Sequence, residues 1–217
     1  MAEKRSSRTF AHQSVEFGRV VAFSDGLFAI AMTLLVVGIT VPAISDNDSV
    51  GELADALNEL SSSVVSFFIS FAVIGRYWIA HHSFFSGLKA IDSTLISINL
   101  LYLAFIAFLP FPTALLGAYF ENPLAIVIYA PCVAMISGLE VVLFRHAHRS
   151  DLLRRKLPPD VYRFGVTASL TPVVFFLLSV PLAFVDTGIA VASWFLTIPF
   201  AFLADRFKPD RADQLLR

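Results

Sequence analysis

Eight ionisable or strongly polar side chains interrupt otherwise apolar runs: Arg19, Ser24, Asp25, Arg76, His81, His82, Asn99 and Glu140. In hydrocarbon such groups are costly and turn toward protein or water, so each is a functional candidate. Arg19, Asp25, Arg76, Trp78, His81 and His82 fall near the same ends of two apolar segments, and Asn99 lies two turns into a third. At a shared depth they form either a hydrogen-bonded clamp between helices or a group acting directly in transport.

Other chemistry finds little support. His81 and His82 are adjacent, and neighbours on a helix point about 100° apart, so a metal site on this pair lacks convergent ligands. His146 and His148 stand among arginines at a helix end and read as interfacial anchors. Glu140 reads as one half of a buried pair with Arg145 or another helix. The single cysteine, Cys132, excludes an intrachain disulfide. GxSxG, HExxH, Walker A and dinucleotide fingerprints are missing, so the chain does not read as an enzyme. No cofactor or nucleic-acid partner is implied, and the TVGYG potassium filter is missing too.

The elements that must position these residues are transmembrane. Hydrophobic residues make up 57% of the 217 and charged residues 15%, with mean hydropathy +0.74. That places the chain outside ordinary globular composition. The fold expected is an all-α integral membrane protein with six spans, at about 17–42, 57–84, 92–119, 123–146, 160–183 and 188–206. Pro42 is expected to close the first span, and Pro110 and Pro112 to kink or end the third. The organisation expected is a basic, mobile tail over 1–15, one six-helix domain over 16–207, and a short tail over 208–217. The first apolar run is too long for a signal-peptide core and reads as a retained span.

Charge sets the orientation. The 16 Lys and Arg fall in the N-terminal tail, at 76–89, at 145–163 or from Arg206 onward, apart from Arg19 at the foot of the first span. The opposite connectors carry Asp46, Asp48, Glu52, Asp55, Glu59, Glu121 and Asp186, with no Lys or Arg. The positive-inside rule then puts both termini in the cytoplasm, and a multi-pass protein of the plasma membrane is expected.

Along the first span, Ile30, Leu34 and Val37 recur at a helical four-then-three spacing, with Thr33 beside them. Such a stripe is core if it packs on neighbouring helices. If several copies surround an axis it becomes a stack of apolar rings, which gate by dewetting.

Three separated segments together resemble one family. Arg19-x3-Phe23-Ser24-Asp25-Gly26 resembles the RxxxFSD signature of the transmembrane protein 175 potassium channels. Tyr77-Trp78-x2-His81-His82-x-Phe84 resembles the end of that family's second helix, and Asn99-Leu100 with Leu109-Pro110-Phe111-Pro112-Thr113 its third. The resemblance implies a homotetrameric cation channel, selective for potassium but weakly so over sodium, with helix one lining the central pore. It implies a hydrophobic constriction at Ile30, Leu34 and Val37, a selectivity-associated Thr33, and a helix-anchoring network of Arg19, Phe23, Ser24, Asp25, Trp78, His81 and Asn99. The partners implied are other copies of the chain, the bilayer and monovalent cations, with permeant K⁺ the only ion. Two other classes stay open: a proton-coupled secondary transporter using Asp25 and His81 as relay groups, and a scaffold or embedded enzyme without ion flux.

Overall fold

Residues 9–209 and 212 are described by the computed structural model. Among them, six helical segments are long and apolar enough to cross a membrane: Val15–Val37, Ser61–Ser86, Ser93–Ala118, Pro123–Arg149, Pro159–Ala183 and Thr187–Asp205. The protein is all-α, as composition and periodicity require, and each span satisfies its backbone internally. In chain order the elements are β1 (Thr9–Ala11), α1 (Val15–Val37), α2 (Val50–Glu59), α3 (Ser61–Ser86), β2 (Ala90–Asp92), α4 (Ser93–Phe108), α5 (Pro110–Ala118), α6 (Pro123–Arg149), α7 (Pro159–Ala183), α8 (Thr187–Trp194) and α9 (Thr197–Asp205).

The first span ends earlier than expected. Gly38, not Pro42, caps α1. A Cβ at Gly38 would stand 3.1 Å from the Ala114 Cβ of α5, so glycine there permits close helix approach. The acidic connector also holds a helix, α2. Its signal is Ser49-x-x-Glu52: Ser49 Oγ accepts from the Glu52 amide at 3.2 Å. Glu52 reaches further back and accepts from the amides of Ser45 and Asp46 at 2.9 and 3.1 Å, a variant of the capping box. Those two amides hold its carboxyl below the usual carboxylate range.

The third span breaks at Leu109 into α4 and α5, as its prolines require. The sixth breaks as well, between Trp194 and Thr197. Pro199 supplies no amide for the Phe195 carbonyl, and the chain there closes with shorter-range bonds, Leu196 to Ser193 at 3.1 Å and Ile198 to Phe195 at 3.1 Å.

The N-terminal segment is not all free tail. Residues 1–8 lie outside the described residues, but β1 pairs antiparallel with β2, Phe10 opposite Ile91. A bridge from Leu88 to Leu153 extends this ladder to the α6–α7 loop. Ser14 then caps α1, accepting from the Phe17 amide at 3.2 Å. Asp92 caps α4 through the Leu95 amide at 2.7 Å. These contacts fix the starts of α1 and α4 relative to each other.

The core lies along α6, whose Ile126, Tyr129, Ala130, Val133 and Ile136 are fully buried. α6 packs on α4, α5 and α7, while α1 packs on α3, α4 and α5. At the far end α3 and α5 meet almost backbone to backbone: Ser62 Oγ donates to the Gly117 carbonyl at 2.8 Å, and a Cβ on Gly117 would fall 2.8 Å from the Ser63 Cα.

Candidate functional site

The buried residues of α1 are Phe17, Ser24, Phe28, Ala31 and Leu35, spaced by seven, four, three and four, which is one helical face. About half a turn away on the same helix stand Arg19, Phe23, Gly26, Ile30, Thr33 and Val37, all exposed. Ile30 is 59% exposed, Leu34 45% and Val37 69%, so within one protomer this apolar stripe has no cover. Thr33 Oγ1 donates its hydrogen to the Ile30 carbonyl at 2.8 Å, which leaves oxygen lone pairs as its outward feature. One helix therefore has a packed face and an open face.

Polar groups hold the packed face. Ser24, His81 and Asn99 are 0%, 3% and 1% exposed. Asn99 Nδ2 donates to Ser24 Oγ at 3.1 Å, and Ser24 in turn donates to the Val20 carbonyl at 2.9 Å. The Asn99 oxygen, left facing His81, accepts from Nε2 at 2.9 Å. The imidazole is fixed by stacking on Phe85 with centroids 4.3 Å apart, and by Phe28 and Tyr102 at 5.4 and 5.7 Å. A chain of hydrogen bonds thus joins α3 to α4 to α1. A separate bond, Trp78 Nε1 to Asp25 Oδ1 at 3.0 Å, ties α3 to α1 on a more open flank.

The residues named from sequence divide accordingly. Ser24, His81 and Asn99 meet in one chain, and Asp25 with Trp78 form a second tie. Arg19 and Phe23 do not join them: both stand exposed on the open face with Ile30 and Val37. The reason is angular, since Arg19 and Phe23 fall five and one residues before Ser24 and so leave its face. Asp25 and His81 each bond a different partner.

Other assignments change with the tertiary contacts. His146 is not a free interfacial anchor: its Nε2 lies 3.0 Å from both oxygens of Asp92, joining α6 to β2. For Glu140, expected to pair with Arg145 or with another helix, the cation that acts on it is Arg76 of α3, the second of those alternatives. Two further contacts are not assigned from sequence: the Tyr77 hydroxyl bonds Ser137 of α6, and Thr113, Ser70 and Tyr129 form a set, with Thr113 Oγ1 to Ser70 Oγ at 2.8 Å and Ser70 Oγ to Tyr129 at 2.9 Å. Their signal is the helical spacing along α3 of Ser66, Ser70 and Tyr77, which share one buried face with Ile74, His81 and Phe85.

Comparison with known proteins bears on the family and the fold. Residues 19–110, which span α1 to the start of α5, match the family model described as the endosomal/lysosomal potassium channel TMEM175. A potassium channel of Chamaesiphon minutus is 36% identical over 203 residues, 88% of this chain and 96% of that protein. The crystal structure of a lysosomal potassium-selective channel TMEM175 homolog from Chamaesiphon minutus superposes with TM-score 0.75 at 33% identity, covering 88% of this chain and 99% of that one. The endosomal/lysosomal proton channel TMEM175 of Bos taurus is 35% identical over 117 residues, 52% of this chain but only 24% of that longer protein. With the spans, the buried Ser24–Asn99–His81 chain and near full-length similarity to a single-unit relative, the chain belongs to the TMEM175 family.

Proposed function

We propose that the protein is a cation channel that passes K⁺ in preference to Na⁺, weakly, through a pore at the centre of a homotetramer. α1 lines that pore. Ile30, Leu34 and Val37 form its constriction, and Thr33 offers an oxygen to a partly dehydrated ion. Ser24, Asp25, Trp78, His81 and Asn99 hold α1 at a fixed rotation, and Arg19 and Phe23 face the inner vestibule. Both termini are cytoplasmic, in the plasma membrane, and the acidic connectors on the other side concentrate cations at the mouth.

One observation carries this reading. The apolar stripe of α1 is uncovered in the protomer although the same helix is anchored by buried hydrogen bonds on its other face. A helix whose outward side chains must meet at an axis needs such a fixed rotation, and Thr33 stands on that outward face among the apolar residues. The names borne by the relatives point the same way.

The test is ion flux in proteoliposomes with electron microscopy of the same preparation. A K⁺ gradient should drive channel-rate flux exceeding that of Na⁺, and particles should show a four-fold axis with α1 innermost. Ile30→Asn should wet the constriction and raise the flux. Unchanged flux in that variant removes Ile30 from the pore, and a monomeric particle removes the pore itself. Because animal relatives are named proton channels, a pH-gradient arm belongs in the assay. Saturable, proton-coupled flux without single-channel steps would favour a carrier instead.

A further inference from the structure

The α6–α7 pair carries a surface that the pore does not use. Phe144 and His148 of α6 stack on Tyr162 of α7, with centroids 5.5 and 4.3 Å apart, and so mark the line where the two helices face each other. One residue further along an α-helix, the side chain turns by about 100°. In antiparallel neighbours that step swings toward the same side of the pair. It brings Arg145 and Arg149 of α6 beside Arg163 of α7, and all three are exposed.

The same faces continue toward the membrane centre as an open apolar trough. On α6 the helical spacing runs through Val142 and Met135, 45% and 48% exposed, past Gly138, above which a Cβ would meet nothing within 4 Å. On α7 it runs through Leu170 and Val174, 38% and 53% exposed. Among the described residues, Asp160, one turn before Arg163, is the carboxylate on this side, which leaves the three guanidinium groups in excess. The nearby acids are committed elsewhere: Asp151 to Lys89 at 2.6 Å and Asp92 to His146 at 3.0 Å.

We propose that this trough binds an anionic phospholipid from the leaflet on the basic side of the protein. Its phosphodiester sits on Arg145, Arg149 and Arg163, and an acyl chain lies along Val142 and Leu170. Guanidinium groups match phosphate oxygens in geometry and charge, and membrane anionic lipids gather at basic clusters at helix ends. A second copy is the wrong occupant. α1 packs on α3, α4 and α5 while α7 packs on α6, α8 and α9, so with α1 at the axis of the proposed tetramer the trough faces lipid. A protein surface there would also have to neutralise three buried arginines.

Val142→Trp places a fluorescent reporter in the trough, and its quenching by dibrominated phosphatidylglycerol against dibrominated phosphatidylcholine, taken as the difference from the protein with only its native Trp78 and Trp194, gives the lipid preference. At about fivefold per surface charge, Arg149→Gln with Arg163→Gln should lower that preference roughly 30-fold. Arg155→Gln with Lys156→Gln, which removes equal charge from the connecting loop, should change it by less than about twofold. Arg149→Lys with Arg163→Lys keeps the charge but not the fork, and should lose an intermediate amount, which also covers misfolding of the glutamine pair. Equal losses in both glutamine pairs, or no preference in the starting protein, would overturn the site. So would displacement of quenching by millimolar inorganic phosphate, or crosslinking between copies through Val142→Cys. Quenching requires no ion flux, so it stays readable if the pore reading fails.

Discussion

Replacing Asn99 by leucine tests whether α1 is held by its buried hydrogen-bond chain. The side chains are close in volume, so cavity formation is small and the loss is polar. Asn99→Leu strands the His81 Nε2 hydrogen in a position 3% exposed, at a cost of about 1–3 kcal/mol. Ser24 loses the hydrogen bond it accepts at 3.1 Å but keeps the one it donates to Val20, so its share is nearer 0.5–1 kcal/mol, about the net value of a single bond. The single variant should therefore lose roughly 1.5–4 kcal/mol, equivalent to about 3–16 °C in unfolding temperature for a chain of this size. His81→Phe removes the stranded donor while keeping an aromatic ring against Phe85 and Tyr102. Combined with Asn99→Leu it should recover at least ~1 kcal/mol relative to the sum of the single effects. Thermal unfolding in detergent, followed by size-exclusion chromatography across the four proteins, measures the cycle. Strict additivity would show that His81 and Asn99 do not act as a pair and would remove the α3–α4 link from the chain that holds α1.

Further outcomes follow from the same geometry. Trp78→Phe leaves Asp25 partly hydrated and should destabilise by no more than about 1 kcal/mol in the same assay, well below Asn99→Leu. Gly117→Ala forces a Cβ to within 2.8 Å of the Ser63 Cα, where backbone must shift, and should cost about 1–3 kcal/mol. The Glu52 carboxyl titrates lower folded than unfolded, so the hold it gives is complete above the unfolded carboxylate range and lost as pH falls through the folded value. Amide exchange at Ser45 and Asp46 should accelerate on acidification and be pH-insensitive, beyond the intrinsic trend, in Glu52→Gln.

The spans were legible because hydrocarbon imposes its requirement residue by residue: a long apolar run such as Val20–Val37, broken only by Ser24, Asp25 and Thr33, excludes other solutions. The polar interruptions were legible for the converse reason, because Ser24, His81 and Asn99 would be too costly without partners. Local breaks were partly readable. Pro110 announced the division of the third span, while Pro199 and the Ser49-x-x-Glu52 cap carried equally local signals that hydropathy masked. Partners were not readable: nothing near His146 in the chain indicates Asp92, and nothing near Thr9 indicates a strand partner across α1 and α3.

Sequence by itself determined that this chain crosses a membrane six times, which side is basic, and which few polar groups must find partners within it. Each of those follows from transfer free energy, which depends on residue type and local order. Only the tertiary structure decided which face of α1 is packed and which is open. Periodicity gives two opposite faces on any helix, and in α1 polar residues stand on both, Ser24 on one and Thr33 on the other, so polarity does not tell them apart. The choice is made by long-range pairing, in which Asn99 and His81 of other helices take Ser24 inward and leave Ile30, Thr33 and Val37 on the open side.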